Sequence, residues 1–423
     1  MKLLKLTVCL AALSSSAIAS IPLGRGEISL DAEASVTYDS NLLGRQSSDD
    51  DVYGTFAPRI SYSRRAGIIG ADVSARIAAE RYVDHKQYNS DNVSANASLT
   101  LSEKSFQNIS GSLTASYIES YQIDQDINTR IKTHATSFDG QLGYTTSPRT
   151  HLDTKASYSN TQRAGNAASD QEFFDGGLDF AFSGFLDDTG LHLSYDYTRA
   201  TSSGNNARGA EIDQNAHLFS VGVSRPLYHD VTGRINYGYR ILNRSAAETP
   251  TGDQRQTGTV FSASLQGPFL PAARFPKLKS HLSISYENAK TPGVNDQGAS
   301  KQVTGDLGLT WEARETTSVS INASRSQRLA SNDLTAVTTT AQLGLQQKLG
   351  YSLSGSLNAG YTWNSYQTVA RSDEVFSVDG SLNYTFAQNW SASGSYRYQN
   401  STSGFTVADY ERHVATLSVS YHY

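Results

Sequence analysis

The chain has 423 residues, of which 38% are apolar, 10% aromatic and 18% charged, and its formal net charge at pH 7 is −5. Low apolarity is typical of disorder, but the small net charge, the 9 prolines and the 24 tyrosines argue against it. One cysteine, Cys9, excludes a disulfide framework, and the slightly acidic balance argues against a nucleic-acid-binding surface. No run of about 18 apolar residues follows residue 20, which excludes a transmembrane helix.

The first residues have the pattern of an export signal. Lys2 and Lys5 precede an apolar stretch from Leu6 to Leu13, and Ala17 and Ala19 form a cleavage site of small residues. This order is typical of a secretory signal peptide, because the apolar stretch is too short to span a bilayer. We therefore expect residues 1–19 to be removed and residues 20–423 to form one domain.

The rest of the chain alternates apolar and polar residues with a period of two. From Tyr351 to Asn364, the odd positions carry Tyr, Leu, Gly, Ala and Trp, while the even positions carry Ser, Asn, Gly and Thr. Successive side chains of a strand point to opposite faces, so this segment predicts a strand with one apolar and one polar face. Soluble strands average about 5–6 residues, whereas membrane-spanning strands need about 9–11. The segment is long enough to span a membrane.

The same alternation recurs from a first strand near Ile28–Asp39 to a last strand near Tyr410–Tyr423. The connections between the segments alternate between short turns and longer polar loops, and no segment has a sustained helical period. This predicts about 20 antiparallel strands, with 18 and 22 as alternatives, and both chain ends on the short-turn side, as in bacterial outer-membrane barrels.

Because a bilayer cannot hydrogen-bond to the backbone, strands cross it only as a closed barrel. A barrel with an apolar outer face and a wet interior also explains the low apolar content. The predicted fold is an all-β, transmembrane, up-and-down antiparallel barrel in the outer membrane. The alternative is a soluble sandwich or β-helix, which requires shorter strands whose apolar faces meet in a core.

The polar positions of a wide barrel would line a channel, since barrels of about 16–18 strands already enclose water. The charged lumen-lining candidates are Arg59, Arg76, Asp196, Arg234, Arg240, Glu287, Asp306, Glu312, Asp379 and Arg397. The full set of inward charged positions also includes Asp31, Glu33, Asp72, Glu80, Asp139, Asp153, Lys155, Asp175 and Asp179. The set therefore leans acidic, which favours cations and neutral solutes over anions. The alternative is that these charges pair with one another across strands and only brace the wall.

Candidate catalytic and metal sites are weak. His192 and Ser194 share a face, with Asp196 two residues further on, but the pattern of outer-membrane lipases is not continued after the serine. Asp124–Asn128 resembles the start of a calcium loop but lacks the glycine and the final glutamate. The histidines show no metal-ligand spacing. We therefore expect no catalytic residues, no metal and no cofactor, and no enzymatic activity.

The last strand resembles the signal by which the barrel-assembly machinery recognises outer-membrane barrels. Thr416, Tyr421 and Tyr423 match the polar and aromatic positions of that signal, while Ser418 stands where the pattern has glycine. The resemblance implies the barrel-assembly machinery as a partner.

The whole pattern resembles the putative beta-barrel porin type 2 family of outer-membrane barrels, often associated with exopolysaccharide export. The segments that carry it are Val36–Asn41, the Tyr-rich strands, and Asp409–His413 leading into the last strand. The resemblance implies a pore, with exopolysaccharide export as its expected task and periplasmic export components as partners. It supplies no catalytic residues.

Three function classes stay open at this point: a water-filled channel, a structural or adhesive barrel that binds through loops such as 201–212 or 244–256, and an outer-membrane hydrolase. The expected location is the outer membrane of a Gram-negative bacterium, in contact with its lipid and lipopolysaccharide. We expect no nucleic-acid partner.

Overall fold

In a computed structural model, the alternating segments form one antiparallel β-sheet. The structure describes residues 21–47, 49–65, 67–101, 108–124, 127, 129–164, 168–186, 188–203, 212–228, 230–246, 254–270, 275, 277–290, 300–329, 335–366, 371–404 and 409–423. The expected signal peptide, residues 1–19, lies outside these ranges and stays a prediction.

The strands of the barrel wall are 12 to 19 residues long, the length expected of strands that cross a bilayer at a tilt. In chain order, the strands are β1 (Ile21–Leu23), β2 (Gly26–Asp39), β3 (Asp51–Arg64), β4 (Ile69–Tyr82), β5 (Ser90–Leu101), β6 (Ile109–Asp124), β7 (Thr129–Ser147), β8 (Thr150–Arg163), β9 (Asp170–Leu186), β10 (Thr189–Ser203), β11 (Ile212–Tyr228), β12 (Val231–Ala246), β13 (Gln254–Gln266), β14 (Leu278–Lys290), β15 (Ser300–Arg314), β16 (Thr317–Leu329), β17 (Thr335–Lys348), β18 (Leu353–Tyr366), β19 (Ser372–Ala387), β20 (Trp390–Ser403) and β21 (Tyr410–His422).

Strands β2 to β21 close into a ring of 20 strands. Each pairs with its sequence neighbour, and β2 pairs with β21 to complete the circle, from Asp31 opposite His422 to Asp39 opposite Val414. Closure leaves no unpaired edge along the wall, which a strand in lipid requires. The predicted all-β barrel and its strand number are confirmed.

The short strand β1 is a feature that the sequence pattern did not predict. It pairs with the start of β2, from Gly26 to Ile28. The last strand ends beside Leu30, where Tyr423 exchanges two backbone hydrogen bonds with it. Strand β1 therefore covers the part of the β2 edge that lies beyond the carboxyl end of β21.

Short turns and long loops alternate around the ring, because each strand runs opposite to its neighbours. Both the start of β2 and the end of β21 lie on the short-turn side, as predicted. Among the described residues, the helical structure is a single 3-10 turn, Lys86–Tyr88. None of the described helical segments is long and apolar enough to span a membrane.

The two faces of the sheet differ as the alternation predicts. Large apolar side chains cover one face and remain exposed along the whole wall, with Leu357 and Leu193 each 52% accessible. The strand register places serine, threonine, amide and charged side chains on the other face, for example Ser356 opposite Ser381. The barrel therefore lacks the dry apolar centre of a soluble sandwich.

Ion pairs that cross intervening strands show which face is concave. Arg234 on β12 reaches Asp179 on β9 at 2.6 Å, although β10 and β11 lie between them. Three strand spacings amount to about 14 Å on a flat sheet, so the contact requires a sheet that curves toward this face. Arg240 on β12 likewise reaches Glu287 on β14. The polar face is the inner face of the barrel, and the apolar face is the outer one.

A chain of aromatic rings on the outer face marks the short-turn end. Tyr384, Phe386, Trp390, Tyr421 and Tyr423 contact one another in sequence, with ring centroids 4.8 to 6.5 Å apart. Tyrosine and tryptophan prefer the headgroup level of a bilayer, where one part of the ring is apolar and another is polar. This end of the barrel therefore has the aromatic girdle of a membrane protein.

Tyrosine–carboxylate pairs mark the other end of the outer face. Tyr117 donates to Glu119 at 2.7 Å, and Tyr361 donates to Glu374 at 2.6 Å. Between this belt and the short-turn end, the described outward positions are uncharged, as along β18 from Leu353 to Trp363. That stretch matches the about 9–11 residues of a tilted membrane-spanning strand. The segment differs from the predicted one at its start, since Tyr351 lies in the turn before β18.

A single charge on either face of β18 tests this assignment. We expect Leu357→Arg, in the middle of the apolar band, to lower the free energy of unfolding by about 2–4 kcal/mol, because it buries a cation in lipid. The neighbouring Asn358→Arg points inward and serves as the matched control. Denaturant unfolding in phospholipid vesicles measures both. An equal loss for the two variants would contradict the assignment.

Candidate functional site

The inner face of the wall carries the side chains that the sequence predicted to line a lumen. The register places all ten charged candidates on this face, opposite the apolar side chains of the same strands. They do not converge on one point but are distributed over β3, β4, β10, β12, β14, β15, β19 and β20. Whether a solute passes over them stays a prediction.

Several of these charges are paired with one another, as the bracing alternative proposed. Arg76 binds Glu33 at 3.0 Å across β3, and Arg59 lies between Asp31 and Arg76 in the register. On the other side of the closing pair β2–β21, Arg397 on β20 faces Asp379 on β19 at 3.8 Å. Pairing holds these side chains against the wall.

A charged sector covers strands β8 to β15. Lys155 contacts both Asp175 and Asp196, at 3.5 and 3.0 Å. Gly177 on the intervening strand leaves room for this contact, because a Cβ there would lie 2.5 Å from the lysine side chain and 2.7 Å from the Asp196 carboxylate. Further ion pairs of the sector include Arg234–Asp179, Arg240–Glu287, His281–Asp306 and Lys279–Glu312.

An uncharged sector covers the inner face of β16 to β18. Apart from Arg328 and Lys348 near strand ends, the described inward side chains here are small, hydroxyl or amide groups. Thr338 donates to Asn364 at 2.7 Å, and Ser356 bonds to Ser381 at 2.8 Å. Hydroxyls and amides both donate and accept hydrogen bonds, so this sector offers binding groups to a neutral polar solute.

The structure gives His192 different partners from those that the sequence suggested. Its Nδ1 lies 3.2 Å from Asp179, and its Nε2 lies 2.8 Å from Ser224. Ser194, the residue that shares its strand, bonds to Ser220 instead. Sequence spacing within β10 could not reveal this, because the partners come from the two adjacent strands.

One guanidinium on β7 ties two connections together at the long-loop end. Arg130 on β7 donates to the carbonyl of Leu42, in the connection from β2 to β3, and to the hydroxyl of Tyr82 at 2.7 Å. Its charge also lies 5.9 Å from the ring centre of Tyr88, in the connection from β4 to β5. We refer to these four residues as the rim clasp. The clasp holds the β2–β3 connection against a hairpin that is three strands away.

The last strand carries the three residues of the predicted assembly signal. Thr416 points inward and bonds to Thr37 at 3.0 Å across the closing pair of strands. Tyr421 and Tyr423 lie on the outer face in the aromatic girdle. Recognition by an assembly machinery is not tested by this placement and stays a prediction.

Among the described residues, no group of three or more histidine, cysteine, aspartate or glutamate side chains could hold a metal ion. The segment Asp124–Asn128, which resembles the start of a calcium loop, lies only partly inside the described residues. Its Asp124 forms an ion pair with Arg163 at 3.3 Å. Most of the loops 201–212 and 244–256 lies outside them.

Comparison with protein families gives a match in the second half of the chain. Residues 299–423 match the family described as Putative beta-barrel porin 2. The resemblance predicted from the sequence is confirmed. The matched region corresponds to strands β15 to β21, which include the uncharged sector and the closing strand. A search of curated proteins found no match.

Comparison with solved structures shows the fold. The siderophore receptor PiuA from Acinetobacter baumannii matches with a TM-score of 0.50 and 10% identity, covering 93% of this chain and 82% of that chain. The ferric citrate transporter FecA in the unliganded form matches with a TM-score of 0.50 and 9% identity, covering 93% and 78%. OccK2 (OpdF) from Pseudomonas aeruginosa in complex with glucuronate has a TM-score of 0.37 and 12% identity, covering 95% and 98%. At these identities, the first two matches show an outer-membrane-type β-barrel fold.

Removing the guanidinium of the rim clasp tests its role. We expect Arg130→Ala to speed trypsin cleavage after Arg45, which is exposed in the β2–β3 connection, because the connection loses its tie to β7. Mass spectrometry of timed digests locates and quantifies the cut. Arg199→Ala removes another rim arginine, paired with Asp213, and serves as the control. Equal cleavage rates in the two variants would contradict the clasp.

Proposed function

We propose that the chain forms a water-filled channel in the outer membrane of a Gram-negative bacterium, and that passage of the solute through it is non-enzymatic. The observation that carries this proposal is the polar inner face of a closed ring of 20 strands. Barrels of about 16–18 strands already leave an aqueous channel, and this ring is wider. Transport through such a lumen depends on its width and its charges and needs no catalytic group.

We further propose that the exported solute is a saccharide polymer. Two observations support this class: the match to the porin 2 family, whose resemblance implied exopolysaccharide export, and the uncharged sector of β16 to β18. Hydroxyl and amide groups can donate hydrogen bonds to sugar hydroxyls and accept hydrogen bonds from them, and they carry no charge themselves. The proposed partners are the lipid and lipopolysaccharide around the barrel, the assembly machinery and periplasmic export components.

The proposed orientation places the long loops outside the cell and the short turns in the periplasm. Outer-membrane barrels have this asymmetry. The rim clasp then lies at the outer mouth. The tyrosine–carboxylate belt would lie at the outer headgroup level.

Ion selectivity tests the channel. Arg240→Gln leaves Glu287 unpaired on the inner face and is expected to increase the preference for potassium over chloride. Glu287→Gln leaves the arginine unpaired and is expected to shift the preference in the opposite direction. Reversal potentials in a potassium chloride gradient across planar bilayers measure both, with Arg199→Gln at the outer rim as control. A folded barrel without conductance would contradict the channel.

Passage of neutral saccharides tests the solute class. We expect liposomes containing the protein to swell in linear oligosaccharides at rates that fall only slowly with chain length, because a chain enters end-on. Branched saccharides of equal mass serve as the control and are expected to enter more slowly. If the swelling rates for linear and branched saccharides fell equally with molecular mass, the result would argue for an unspecific pore.

A further inference from the structure

A serine, a histidine and an aspartate stand in line on the inner wall, on three adjacent strands. Ser224 on β11 lies with its Oγ 2.8 Å from Nε2 of His192 on β10, and Nδ1 of the same ring lies 3.2 Å from Oδ1 of Asp179 on β9. Each contact joins a different ring nitrogen, so an aspartate that accepts from Nδ1–H leaves Nε2 as the acceptor for the serine proton. This is the arrangement that activates a serine nucleophile.

The surroundings leave space above the serine. Gly190 faces Ser224 in the register, and a Cβ there would lie 2.7 Å from the serine oxygen and 3.4 Å from Nε2. Gly222, on the same face of β11, leaves room for the Asn236 side chain, because a Cβ there would clash with Asn236 Oδ1. His192 is mostly shielded, with 13% of its side chain exposed, whereas a lumen on the polar side supplies water.

A cation lies beside the same group. Arg234 faces Ser224 in the register and extends across β11 and β10 to Oδ2 of Asp179 at 2.6 Å. Its Nε donates to Asn236 at 2.8 Å, which fixes the guanidinium plane. The guanidinium therefore holds the Asp179 carboxylate in place beside His192.

We propose that Ser224, His192 and Asp179 form a hydrolytic site for esters of polar solutes. Ser224 Oγ forms a bond to the carbonyl carbon of the ester, and its proton passes to Nε2 of His192. The ester C–O bond then breaks, and the leaving alcohol takes that proton. Water attacks the acyl–serine, gives a proton to Nε2 and releases the acid, while the proton returns to Ser224.

The site faces water, which defines the substrate class. Its three side chains lie on the inner face, whereas membrane lipid contacts the opposite face of the same strands, where Leu193 and Phe219 are exposed. The substrate is therefore a short-chain ester on a hydrophilic molecule, and long-chain lipid esters do not reach it. This inference differs from the expectation of a barrel without catalysis and does not depend on transport.

Covalent labelling tests the proposal on the folded, detergent-solubilised barrel. A fluorophosphonate probe is expected to modify Ser224, identified by peptide mass spectrometry. Ser224→Ala should abolish labelling, and His192→Ala should slow it by at least about 100-fold. The matched control is Ser220→Ala, because Ser220 lies two residues away on the same face of β11 and bonds to Ser194.

Hydrolysis of p-nitrophenyl acetate gives a second measurement. The native barrel and Ser220→Ala should release nitrophenol at the same rate, and Ser224→Ala should fall to the rate of buffer. Retention of the heat-dependent gel shift of folded barrels shows that each variant is folded. The proposal would be overturned if the native barrel showed no labelling or no hydrolysis. It would also be overturned if labelling or hydrolysis were unchanged in folded Ser224→Ala and His192→Ala.

Discussion

The need to pair every backbone N–H and C=O group away from water determines this structure. In lipid, an unpaired group costs several kcal/mol, so a sheet that crosses a bilayer must close on itself. The pairing of β2 with β21 meets that need, and β1 extends it where β21 ends. Once the ring is closed, each strand has one face toward lipid and one toward the interior. The uncharged outer band, the aromatic girdle and the charged inner wall all follow from this division.

The inner wall is not uniform, and its asymmetry is the basis of the functional proposals. Charges on β8 to β15 are held in pairs that often span a strand, which keeps them on the wall and limits the net field across the lumen. The uncharged sector of β16 to β18 lies in the region that matches the porin 2 family. A polymer of neutral sugars would find hydrogen-bonding groups there without strong electrostatic trapping.

Sequence reasoning predicted the fold well because period-two alternation is a local signal. The positions of Leu357 and Asn358 on opposite faces follow from spacing alone, and so does the inward direction of Arg234 and Glu287. Partners across strands could not be predicted, because they depend on register and curvature. Spacing suggested Ser194 and Asp196 for His192, whereas its partners are Ser224 and Asp179 on the neighbouring strands. The rim clasp was also hidden, since Arg130 and Leu42 are far apart in the chain.

The assignment of faces is the claim on which everything else depends. Its most direct test is a scan of single spin labels along β18, from position 353 to 366, in lipid vesicles. Accessibility to oxygen, which concentrates in lipid, should peak at odd positions such as 357 and 361, while accessibility to a water-soluble nickel complex should peak at even positions such as 356 and 358. The reverse alternation would contradict a lipid-facing apolar surface around a water-filled lumen. Even-numbered positions that neither reagent reaches would contradict it as well.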